Sequence, residues 1–116
     1  MAEAGRDIDM AVAQRVCGLL ILIDHDGTCR VVSPRYREAA PLPYYSTVTE
    51  HAYYVINLLH AKGFHCRLQS GVRDGDPWYT VSFYRKGEQP VAATAPDLPL
   101  AVSKAALSLS MVHNLD

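Results

Sequence analysis

The 116-residue chain is 49% hydrophobic and 20% charged, the balance of a globular protein, and its 12.8 kDa suit one domain spanning residues 1–116. Eleven Lys and Arg against twelve Asp and Glu leave a net charge of −1. That excludes a strongly basic nucleic-acid coat and a wholly acidic mimic of DNA, while leaving room for a local patch.

The first predicted element is a short helix, capped by Asp7 and running through Val16, with Ile8, Val12 and Val16 as its apolar stripe and Ala11 beside them. Gly18 ends it. Leu19 to Ile23 is a continuous apolar run bounded by Gly18 and Asp24, which predicts a strand buried on both faces. Asp26-Gly27 signals a turn, and Thr28 to Ser33 returns as its antiparallel partner. Pro34 to Tyr45, with three prolines, predicts a loop.

Thr47 and Glu50 have capping-box spacing at the start of a second helix. Val48, Ala52, Val55 and Leu59 form its stripe, Ile56 widens it, Tyr45 can staple onto it, and Gly63 closes it. Phe64 to Gln69 then alternates, with Phe64, Cys66 and Leu68 opposite His65, Arg67 and Gln69. Gly71 to Pro77 predicts a polar turn. Trp78 to Tyr84 alternates again, placing Tyr79, Val81 and Phe83 opposite Trp78, Thr80, Ser82 and Tyr84. Val91 to Ala95 is the third strand of this meander. Asp97 caps a last helix with Pro99 in its first turn, and Leu98, Ala101, Val102, Ala105, Leu109 and Val112 line its buried side. The predicted class is α+β, in the order α-β-β-α-β-β-β-α, with antiparallel sheet packed between helices as a sandwich.

Three segments together resemble the phage ABA sandwich family. Val12-Ala-Gln-Arg-Val-Cys-Gly18 is similar to its N-terminal VAE-x-VMG segment, and Tyr45-Ser-Thr47 to its YSTD helix start. Ala95-Pro-Asp-Leu-Pro-Leu-Ala-Val-Ser-Lys-Ala-Ala-Leu107 is similar to its A-x-TPPLAICRAAL helix, and Trp78 falls where the family usually has Trp. Leu19 stands where the family has Trp, and Tyr53 and Tyr54 replace an aromatic helix surface of Trp. The resemblance implies a small phage or prophage protein with a central sheet between helices. It implies no activity, because members mostly lack assigned function, and it carries over no catalytic or binding residue.

Cys17, Cys29 and Cys66 are odd in number and form no C-x-x-C, so three reduced thiols in the bacterial host cytoplasm are expected. The start of the chain shows no signal peptide pattern. The longest apolar run, Leu19 to Ile23, is far short of the ~18 residues that span a membrane, so no membrane partner is expected.

Leu20-Ile-Leu-Ile-Asp24-His-Asp26-Gly-Thr28 looks like the first motif of haloacid-dehalogenase phosphatases, in which one Asp attacks phosphorus, a second handles protons and Mg²⁺ sits between them. The fold for that chemistry is a doubly wound parallel sheet. Here the next strand returns after a four-residue turn, which favours a hairpin. His60, His65 and Cys66 could ligate a metal, but adjacent strand residues point apart. His25, Asp24, Asp26 and Cys29 are looser still. No G-x-S-x-G motif occurs, Ser103, Ser108 and Ser110 lie on the last helix, and Gly71-Val-Arg-Asp-Gly75 opens a strand instead of a helix. The reading is a protein that is not an enzyme and carries no cofactor or metal. The C-terminal α-β-β-β-α order is shared with double-stranded RNA-binding domains, yet the last helix starts Asp97-Leu-Pro-Leu where those domains carry Lys, so nucleic acid is not the expected partner.

The outward face of the meander is the most informative surface. His65, Arg67, Trp78 and Tyr84 all point away from the core residues, and Trp, Tyr and Arg are the residue types that anchor interfaces. Three roles are open to this face: a second core layer under the first helix and hairpin, a subunit interface, or a ligand site. Arg35, Arg37 and Arg73 add cations that could meet phosphates, and Tyr44 and Tyr53 could be exposed beside them, with Tyr45 packed. The expected function is a non-enzymatic binding protein of a phage or prophage, masking a host defence protein as anti-CRISPR inhibitors do. A sponge for a nucleotide-derived immune signal, or a self-assembling phage protein, are the alternatives, with a homodimer or higher homo-oligomer compatible with each.

Overall fold

The computed structural model describes residues 5–34 and 38–115. Helix α1 spans Arg6–Arg15, strands β1 Leu20–Ile23, β2 Cys29–Val32 and β3 Ala39–Pro41 follow, and then helix α2, Thr49–Ala61. Strands β4 His65–Arg73, β5 Asp76–Tyr84 and β6 Val91–Ala95 lead into helix α3, Leu98–Val112. The strands form two antiparallel three-stranded sheets, β1-β2-β3 and β4-β5-β6. The fold is the expected α+β combination of antiparallel sheet and helices.

Helix α3 is the hub. It packs on β5 and β6 and is touched by both α1 and α2. Its small residues make that possible: Ala101, Ser103, Ala105 and Ala106 are fully buried, so neighbouring backbones approach closely on more than one side. Leu100, Val102 and Leu109 fill the larger spaces against Val81 and Phe83 of β5 and Val55 and Leu59 of α2 in one core. Helix α2 closes as its sequence predicts. Gly63 adopts a left-handed φ of 96°, and the Phe64 N–H donates back to the Leu59 carbonyl over 3.0 Å.

Helix α1 is fastened by a buried carboxylate. Asp9 Oδ1 accepts from both the Ser46 N–H (2.9 Å) and the Ser46 hydroxyl (2.8 Å), and Asp9 Oδ2 accepts from Arg6 Nη1 (2.9 Å). Arg6 also donates to the carbonyls of Leu42 (2.8 Å) and Pro43 (3.2 Å) and lies 4.0 Å over the Tyr44 ring. A fully buried charge is tolerated here because each carboxylate oxygen has a donor.

Several local expectations are corrected. The strand at Leu20–Ile23 is not buried on both faces: it is an edge strand in which Leu20, Leu22 and Ile23 are 57%, 48% and 67% exposed. An unbroken apolar run reads alike for a central strand and for an edge strand with an uncovered face. Within the predicted loop, Ala39–Pro41 pairs with β2, Pro41 opposite Arg30, as a short edge strand where proline is admissible. The predicted turn at Gly71 to Pro77 is the tip of a long hairpin, closed by Asp74 and Gly75 with φ of 54° and 83°. Gly5, not Asp7, precedes α1, and Val48, not Thr47, precedes α2, with no side-chain cap at either. Ser46 is held by Asp9 instead, so the chain turns at Tyr44 to Val48 before the helix begins. Val112 is exposed at the end of α3.

Candidate functional site

Strand register assembles the outward face of β4-β5-β6. Opposite pairs are His65 with Tyr84, Arg67 with Ser82, Gln69 with Thr80 and Gly71 with Trp78, while β6 adds Ala92 and Thr94. Side chains opposite each other in an antiparallel pair share a face, so the alternation read from sequence places all of these together. The opposite face carries Val81 and Phe83 into the core. Helix α1 packs against α3 and β1 instead of on β4-β5-β6, and among the described residues no element is packed over the outward face. His65, Arg67 and Gln69 are exposed, and Trp78, Thr80, Ser82 and Tyr84 are half-buried.

One end of the face is an aromatic and cationic ladder. The His60 and His65 rings lie 5.8 Å apart, His65 and Tyr84 5.4 Å, and the Arg67 guanidinium is 5.4 Å from the Tyr84 ring centre. Stacking of this kind restricts long side chains before any partner arrives, which lowers the entropy lost on binding. His60, at the end of α2, joins the ladder through folding, since no local pattern places a helix-end residue on a sheet face.

The other end is a polar groove of about 640 Å³, lined by Gln69, Arg73, Asp76, Trp78, Thr80 and Thr94. Trp78 lies flat across Gly71, so close that a β-carbon there would stand 2.7 Å from the indole. The hydroxyls of Thr80 and Thr94 are hydrogen-bonded to each other at 2.7 Å on its floor. Arg73 therefore joins Trp78, while Arg67, His65 and Tyr84 form the other half of the same surface.

The remaining candidates lie elsewhere. Arg35 and Arg37 fall outside the described residues. Tyr44 lines a separate apolar cleft of about 440 Å³ with Leu19, Leu42, Tyr45, His51 and Tyr54. Its N–H donates to His51 Nδ1 at 2.7 Å. Tyr45 is buried and Tyr44 and Tyr53 are exposed as expected, and Tyr54 beside them is exposed as well.

The phosphatase-like segment is a hairpin turn. The Asp24 N–H donates to the Thr28 carbonyl (2.9 Å), and Gly27 to the Asp24 carbonyl (3.0 Å), leading directly into an antiparallel strand. Asp24 is held by Arg30 at 2.8 Å, and Asp26 accepts from the Thr28 N–H at 3.0 Å, which lowers its pKa. Both carboxylates are thus engaged in fixing the turn. Burial pushes the thiols of Cys17 and Cys66 above the ordinary value of 9.0, opposing the thiolate that nucleophilic chemistry requires. Among the described residues, no three His, Cys, Asp or Glu side chains are grouped closely enough to hold a metal ion, and no helix is long and apolar enough to cross a membrane.

No protein-family model, curated protein or solved structure matches this chain.

Proposed function

We propose that this chain is a non-catalytic binding protein that uses the open face of β4-β5-β6 to mask a partner protein. The observation that carries the reading is an uncovered sheet face with Trp78 at one end and a pre-stacked His65, Tyr84 and Arg67 at the other. Trp, Tyr and Arg dominate binding energy at protein interfaces, and here each is held in place by the fold rather than hanging free. Arg67, Arg73 and His65 suit a partner surface that presents carboxylates beside apolar groups.

The resemblance of its three segments to the phage ABA sandwich family supports a phage or prophage setting. In that setting the partner is a bacterial defence protein in the host cytoplasm, inactivated by occupation of its surface. The test is phage growth in a panel of strains, each carrying one defence system. Expression of the wild-type chain restores growth in at least one strain, and a Trp78→Ala/Tyr84→Ala variant with unchanged circular dichroism does not. Equal rescue by that variant, or no rescue in any strain, contradicts the reading.

A further inference from the structure

We infer that β1 pairs with β1 of a second copy, joining the two small sheets into one six-stranded antiparallel sheet about a two-fold axis. This inference is independent of the β4-β5-β6 face.

Strand β1 is an open edge of a kind that chains normally protect. The other edges are blunted: β3 is three residues ending in Pro41, β4 carries His65, Arg67 and Arg73, and β6 is five residues that follow Pro90. Strand β1 is Leu-Ile-Leu-Ile, with no charge, proline or glycine, and three of its four side chains are largely exposed.

The direction of its free backbone groups follows from the hairpin. The Asp24 N–H donates to the Thr28 carbonyl, which lies directly opposite in the β1–β2 register, so Leu20, Leu22 and Asp24 turn their backbone groups toward β2. Ile21 and Ile23 therefore turn theirs outward. Further along, the Leu19 N–H is already taken by the Ala13 carbonyl of α1 at 2.9 Å. The available edge is thus the N–H and C=O of Ile21 and Ile23.

A two-fold axis between antiparallel strands must run perpendicular to the sheet, so residues of the same face oppose one another. The register that satisfies every available group is centred on Leu22. Ile21 of each copy then bonds to Ile23 of the other, Leu22 meets Leu22 across the axis, and Leu20 lies opposite Asp24. Asp24 is held by Arg30 of its own copy, so no free carboxylate is pressed onto the apolar row.

The side chains that the pairing covers agree with a second copy: Leu20, Leu22 and Ile23 are apolar and largely exposed on the single chain, and the pairing removes part of that area from water.

Sedimentation equilibrium of the full chain at micromolar concentration is expected to give twice the 12.8 kDa chain mass. Leu22→Lys sets two ammonium groups against each other on the axis and gives a monomer. Because Leu22 is 48% exposed, the single chain tolerates the change. Mixing the Leu22→Lys and Leu22→Glu chains restores the dimer. In a second measurement, Leu22→Cys forms a disulfide-linked dimer on mild oxidation, because non-hydrogen-bonded pairs hold Cα atoms about 4.5 Å apart, whereas Leu20→Cys does not. A wild-type monomer overturns the inference. So does a dimer that survives Leu22→Lys, or a Leu22→Cys chain that links no more than wild type.

Discussion

Gly71 and Trp78 face each other across the β4–β5 hairpin, and the indole occupies the space a side chain at Gly71 would fill. Glycine is required here for proximity: the absent β-carbon lets the largest ring in the chain lie down on the sheet. The result is a flat, partly desolvated aromatic surface on an otherwise polar face.

Gly71→Ala therefore forces the indole off the sheet, since its β-carbon would stand 2.7–2.9 Å from three indole atoms. The expected cost is about 1 kcal/mol, at the low end of overpacking because the ring can swing toward solvent. Fluorescence of the single Trp should shift to the red, and an unshifted emission maximum would contradict the packing.

Asp9→Ala removes the acceptor that serves the Ser46 N–H, the Ser46 hydroxyl and Arg6 together. The buried Ser46 N–H loses its acceptor, the hydroxyl is left with only the longer contact to the Gly5 carbonyl (3.3 Å), and the clamp between α1 and the Tyr44 to Val48 turn is lost. A loss of about 3 kcal/mol in urea unfolding is expected, well beyond that of an exposed change such as Asp7→Ala.

Ser103 points the other way. Its hydroxyl is fully buried in α3 and has no hydrogen-bond partner among the described residues. Ser103→Ala removes an unpaired polar group and improves helix propensity, so Tm should rise, by about 1 kcal/mol in stability. A fall in Tm would mean that the hydroxyl has a partner in solution.

Alkaline pH should weaken the fold. Burial raises the Cys17 and Cys66 thiols above 9.0 and the Tyr45 phenol above 10.0. All three are raised, so their contribution is fully present below the unfolded values and is lost as pH rises past them. Their contribution leaves Tm flat from pH 7 to about 8.5 and lowers it from about pH 9 upward. Tyr45→Phe should remove the part of the decline that begins near pH 10.

The helices were legible because their stripes repeat with helical spacing, and Ala52, Val55, Leu59, Ala101, Val102, Ala105 and Leu109 are all buried as read. The two faces of β4 and β5 were legible by strict alternation. Alternation failed at the hairpin tip, where both faces are wet and Val72, Arg73, Asp74 and Asp76 carry no two-sided pattern. Strand β3 is three residues long and exists through its pairing with β2, a long-range cause that Ala-Ala-Pro does not announce. The Asp9–Ser46 clamp joins residues 37 apart, so Thr47 looked like a cap while Ser46 held the structural role. For the site, sequence placed His65, Arg67, Trp78 and Tyr84 on one face. That the face stays open depends on where α1 and β1 pack, which no local pattern encodes.

The most direct test of the masking face is native mass spectrometry of tagged protein recovered from infected bacteria carrying a defence system it counters. Wild type and the Trp78→Ala/Tyr84→Ala variant are compared side by side. A stoichiometric protein partner on wild type, lost from the folded variant, is the predicted result. A partner retained equally by the variant, or a released nucleotide in place of any protein, would contradict it.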